Sequence, residues 1–170
     1  MVHKPYRIYW IYEDEQTGGR LAISSLPGRP DVGRDLYTDM EAMADAGVDH
    51  VVVLVEDHEL RGYGLPGLVE AFTNFGLDVR RLPTPDFSVP AMPAMVELVD
   101  WIDTRTGAGG VVLVHCVGGL GRSGTVAACF LKKRGFDSGE AIRMVRERRS
   151  SFAIEGEDQV AMVRAFGEET

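Results

Sequence analysis

A cysteine, an arginine six residues on and four glycines lie close together in HCVGGLGRSGT, residues 115–125. Glycines at 118, 119, 121 and 124 open backbone conformations that a side chain forbids. Consecutive N–H groups can then turn inward on one centre and hold an oxyanion. Arg122, at the start of the run that leaves the loop, adds a planar fork able to grip two phosphate oxygens. Cys116 lies at the mouth of this cradle, where inward amides and a guanidinium favour the thiolate. A thiolate so placed is a nucleophile aimed at the central atom of the bound group. For a phosphate monoester the product is a phosphocysteine, with Val117, Gly118, Gly119, Leu120, Gly121 and Arg122 around oxygens on which charge builds.

An alkoxide leaving group needs a proton. Asp86, in the proline-braced loop PTPDFSVP 30 residues before Cys116, is the candidate to give it and then to take one from the hydrolytic water. Ser123 can hydrogen-bond the departing sulfur. His115 is expected to fix the loop through its ring N–H without transferring protons.

The elements that must position these groups follow from periodicity. YRIYWIY (6–12) and RLAISSL (20–26) read as strands joined at Gly18-Gly19, and 50–55, 77–83 and 110–114 as further strands. Helices are expected over 34–47, from Leu65 to Gly76, from Met92 through Ile102, over 122–134, after a capping box of Asp137 and Glu140, and over 157–166. EDHELRGYG, from residue 56, reads as a polar loop. Alternating strands and helices predict one α/β domain over 1–170, three-layered α/β/α around a mostly parallel twisted sheet. The glycine loop follows the 110–114 strand, at the carboxyl edge where such sheets bind ligands.

The charge of −8 over 170 residues argues against a nucleic-acid binder or a partner of acidic membranes. Only Lys4, Lys132 and Lys133 are lysines, and Arg143, Arg146, Arg148 and Arg149 read as the solvated face of a helix. Two cysteines make a poor disulfide framework, and no secretory leader or membrane span is visible, so a cytoplasmic protein with reduced thiols is expected. Cys129 reads as a small core residue. His58, among Glu56, Asp57 and Glu59, lacks a second histidine or thiol at ligand spacing, so no metal and no cofactor are expected.

HCVGGLGRSGT, with its strand before and helix after, resembles the signature of the cysteine-dependent protein tyrosine and dual-specificity phosphatases. ELRGYGLPGLVEAFTNFGL, HCVGGLGRSG and VAACFL are similar to the kinase-associated phosphatases and to small atypical dual-specificity enzymes. The resemblance spans 20–166 and implies that fold, a metal-free mechanism, Asp86 as acid and oxyanions such as phosphate, sulfate or vanadate in the pocket. It also implies Glu155 or Gln159 as positioner of the hydrolytic water, although Gly156 stands where that family often has threonine. Glu59 is a candidate to orient Arg122, as a loop carboxylate does in related enzymes.

Phosphorylated protein or peptide is the expected substrate. A phosphoinositide or other small phosphate ester is the alternative; relatives acting on inositol lipids carry lysines inside the loop, where residues 117–121 here are uncharged. A module that binds phosphate without turnover would have been signalled by loss of the cysteine, arginine or acid, and all three are present.

Overall fold

Runs of β-branched residues make the strands β1 (Tyr9–Glu13), β2 (Arg20–Ser24), β3 (His50–Val53), β4 (Asp78–Arg81) and β5 (Val111–His115). In the computed structural model, which describes residues 3–168, they form one sheet in the order β1-β2-β5-β3-β4. Four of them are parallel, and β1 alone runs antiparallel, against β2. β5 is central, its His115 opposite both Ser24 and Val53.

Side chains alternate across the sheet, and each face has its own core. Val112 and Val114 face Met95, Leu98 and Ile102 of α4 (Met92–Gly107) and Ala127 and Phe130 of α5 (Arg122–Lys133). The helices α6 (Ser138–Arg148) and α7 (Glu157–Ala165) complete that layer through Val145 and Val163. Val111 and Leu113 face Met40 and Met43 of α1 (Leu36–Asp45), Leu60 of α2 (Asp57–Gly62) and Leu68 and Phe72 of α3 (Leu68–Asn74). Phe72 and Phe130 are fully buried, each a contribution of roughly 1.5–3 kcal/mol from area alone. The three-layer arrangement is the expected one.

Helix starts follow their caps. Asp35 accepts the Thr38 N–H at 2.9 Å, so α1 begins at Leu36, two residues after the expected start. Asp137 and Glu140 close the expected capping box of α6. The stretch from residue 56 is not a loop: Asp57–Gly62 is helical, and the Glu59 carboxylate accepts the Glu56 N–H at 2.9 Å. A glutamate at the N-cap position lies outside the usual Ser, Thr, Asp or Asn signal, so this short helix gave none. Among the described residues no helix is long and apolar enough to cross a membrane.

Candidate active site

Cys116 follows the last residue of the central strand, and α5 begins six residues later. The loop between them has its carbonyls tied back from the centre. The Cys116 carbonyl is 3.1 Å from His115 Nδ1, and that of Val117 accepts the Leu26 N–H. The carbonyls of Gly118 and Gly119 accept from Arg149, that of Leu120 from the Ile154 N–H, and that of Gly121 from Thr125. On the other side, the Gly119 N–H donates to Cys116 Sγ at 3.2 Å. Ser123 Oγ is 3.3 Å from the same sulfur.

Of the four loop glycines, only Gly119 has left-handed backbone, with φ +69. A Cβ there would come within 2.6 Å of the Ser24 and Ser25 backbone. Gly124 lies inside α5, where a Cβ would make ordinary contacts with Ile154 and Val145 at 3.4 Å.

Arg122 is almost wholly buried and held on one side by Glu59, which binds Nη1 at 2.8 Å and Nη2 at 2.9 Å. The Thr84 carbonyl accepts from Nη1 at 2.9 Å. Burial works against the charged form, but the Glu59 hydrogen bonds together with the surrounding negative charge outweigh it, so the guanidinium is raised above its ordinary value. Burial likewise pushes Glu59 up, but the bonds from Arg122 and the Glu56 amide prevail and hold it below the usual carboxylate range. Arg122 Nε is buried and has no hydrogen-bond partner among the described residues. A buried donor of this kind is costly unless an acceptor reaches it. An oxyanion on the loop would supply one.

Asp86 is exposed and lies 3.4 Å from Arg122 Nη2 through Oδ1, which also accepts the Phe87 N–H at 2.9 Å. The loop-capping contact and the approach to the site thus coexist in one carboxylate. His115 is fully buried, and desolvation lowers its pKa to about 4, so the ring is neutral and Nδ1–H can donate to the Cys116 carbonyl. Gln159 is buried; its Oε1 accepts the Glu155 N–H at 2.9 Å and the Gly156 N–H at 3.4 Å, and its Nε2 reaches the Ser88 carbonyl at 3.4 Å. Its amide is thereby spent on the start of α7 and the Asp86 loop. Glu155, an exposed residue, has its carboxyl raised by partial loss of water and by the Asp86 charge.

The arginine run is a correction. Arg143 remains on the exposed face, whereas Arg146 caps the carbonyls of Ala153 and Ile154, Arg148 donates to that of Ile11, and Arg149 grips the loop. Charge spacing shows which residues share a helix face, not which carbonyls a distant loop brings to it. Cys129 is fully buried, its thiol pushed up to about 12 by desolvation. His58 is exposed, and among the described residues no three His, Cys, Asp or Glu side chains converge as a metal site.

The profile of the family described as "Polymorphic toxin system, DSP-PTPase phosphatase" matches residues 27–136. Cyclin-dependent kinase inhibitor 3 of Rattus norvegicus is 31% identical over 167 residues, covering 95% of this chain and 79% of the relative. Its Homo sapiens counterpart is 29% identical over the same length. Among solved structures, kinase associated phosphatase with its catalytic-site cysteine replaced by serine superposes with a TM-score of 0.88 at 28% identity, covering 96% of this chain and 94% of that one. The active form of Tk-PTP gives 0.76 at 34% identity, over 95% and 98%.

Proposed function

Because this chain belongs to the DSP-PTPase phosphatase family and is a cysteine-based phosphatase, we propose that Cys116 is its nucleophile and a phosphorylated protein its substrate. The sulfur attacks phosphorus in line, the bond from phosphorus to the leaving oxygen breaks, and Asp86 gives that oxygen its proton. Water then attacks the phosphocysteine and passes a proton to Asp86. The S–P bond breaks and inorganic phosphate leaves. The loop amides of residues 117–121 and the Arg122 fork hold the equatorial oxygens throughout. Ser123 eases the departure of sulfur, and His115 holds the loop as a neutral ring. Gln159 supports the site by joining the Asp86 loop to α7, which leaves the Glu155 carboxyl as the group placed to orient water.

The observation that carries this reading is the tied-back loop with the Gly119 N–H and the Ser123 hydroxyl both on Cys116 Sγ. The phosphoprotein assignment draws on the relatives' names and on the uncharged residues 117–121, which offer little to a highly anionic headgroup. Phosphate, sulfate and vanadate are the oxyanions expected to compete.

Rapid-mixing kinetics with p-nitrophenyl phosphate test the assignment. The native chain should show repeated turnover through a phosphoenzyme, and Cys116→Ser should lose at least about 10⁴-fold in kcat, in the range of other covalent catalysts, with its melting unchanged. Turnover retained in the serine variant would remove Cys116 from the mechanism.

A further inference from the structure

The β1–β2 ladder stops short of the active loop. Its last pair toward that edge of the sheet is Tyr9 with Ile23. Ser24 is therefore paired with His115 of β5 on one side and, among the described residues, with no strand on the other. Yet Ser24 and Ser25 are the floor under Gly119, whose Cα lies so close to their backbone that no Cβ fits. The next residue, Leu26, ties back the Val117 carbonyl through its N–H at 3.0 Å. Whatever fixes this floor also fixes the Gly119 amide that donates to Cys116 Sγ.

The run from residue 6 reads as strand in the sequence, but β1 begins only at Tyr9. In place of the missing ladder bonds, the chain before it sends one side chain back across the gap. The Tyr6 hydroxyl donates to Ser24 Oγ at 2.9 Å, and Ser24 Oγ donates in turn to the Ser25 carbonyl at 2.9 Å. Ser24 is fully buried, and burial pushes the Tyr6 phenol up, so that it keeps its proton and stays a donor. Arg34 braces the same spot. Its guanidinium lies 5.3 Å from the Tyr6 ring centroid, and it donates to Ser25 Oγ at 3.0 Å and to the Leu26 carbonyl. The Lys4 N–H fastens the segment ahead of the ring, donating to the Val32 carbonyl at 3.1 Å. In a buried chain of hydroxyls each bond fixes the next, and deleting one member leaves its neighbour unpaired.

We propose that Tyr6 is a positioning residue of the Cys116 loop, acting through Ser24 and Ser25 to hold the Gly119 amide on the site. The proposal rests on the phosphatase reading above and extends the machinery to a side chain outside the glycine loop and the Asp86 loop.

Tyr6→Phe removes the hydroxyl and keeps the ring. It should raise KM for p-nitrophenyl phosphate and the inhibition constant of inorganic phosphate about fivefold each, the worth of one net hydrogen bond. Amide exchange at Gly119 should quicken by a similar factor. Ser24→Ala should do the same, and the double variant no more than either single one, because the two bonds act in series. Ile102→Val, a core change in α4, is the control for lost stability: it lowers Tm but should leave KM and phosphate inhibition unchanged. Unchanged constants in Tyr6→Phe, losses that multiply in the double variant, or an equal rise in Ile102→Val overturn the proposal. Failure of the native chain on p-nitrophenyl phosphate would count against the phosphatase reading instead. Gly119 exchange in the native and Tyr6→Phe chains then decides the positioning role, and equal exchange overturns it.

Discussion

Arg122 is built to stay in one place. Glu59 and Thr84 accept bonds from its terminal nitrogens, and its buried Nε has no partner among the described residues. Removing one charge of a buried pair costs about 3–5 kcal/mol, and a displaced catalytic group on the order of a hundredfold in rate. Glu59→Gln should therefore lower kcat/KM on an aryl phosphate by about 10–100-fold and reduce Tm by several degrees. Steady-state kinetics beside a melting curve check both, and an unchanged rate would mean that Thr84 alone aligns the guanidinium. Cys116, Arg122 and Ser123 were legible in the sequence because the loop closes on itself within a few residues. Glu59 was legible only as a candidate, since it acts across 63 residues of chain, and nothing in its own neighbours tells of the contact.

At the scale of elements, the β5–α5 loop is shaped by what lies around it as much as by its glycines. A Cβ on Gly119 would meet the Ser24 and Ser25 backbone at 2.6 Å, whereas one on Gly118 would meet only the Leu120 side chain at 3.9 Å. Gly119→Ala combines left-handed strain of about 1–2 kcal/mol with a clash that neither neighbour can relieve. It should lower Tm by at least about 5 °C, and Gly118→Ala by no more than about 1 °C. Thermal unfolding of the pair checks the contrast, and equal losses would show that glycine content, not surroundings, sets the loop. The sequence marked all four glycines alike, because spacing carries no record of Ser24 and Ser25. The same blindness hid α2, with its glutamate cap and single buried leucine, and the grip of Arg149 on the loop.

For the whole molecule, burial of His115 couples folding to pH. The unfolded chain takes up a proton below the ordinary value of 6.5, and the folded chain not until about 4. Between those values the unfolded state holds more protons, so stability falls with pH, by about 2 kcal/mol from pH 7 to pH 5. Glu59, held below the usual carboxylate range, adds its loss only at lower pH. Urea unfolding at the two pH values should show the drop in the native chain and little of it in His115→Asn; parallel behaviour would mean the ring is not the cause. The layers around the sheet were legible from alternation and helical period. What no pattern held was the placing of the arginines, whose partners are carbonyls of remote loops.

The sheet order has one more outcome. Cys116 hangs from β5, which has strands on both sides and helices over both faces. Asp86 hangs from the edge strand β4, on a turn where Phe87 holds φ 60 in the open. Sulfur and carboxyl thus belong to parts of unequal support, one anchored until the sheet itself comes apart, the other on an exposed turn held by bonds to the Thr84 and Ser88 carbonyls. The carboxyl is therefore the member of the pair that local opening would release first.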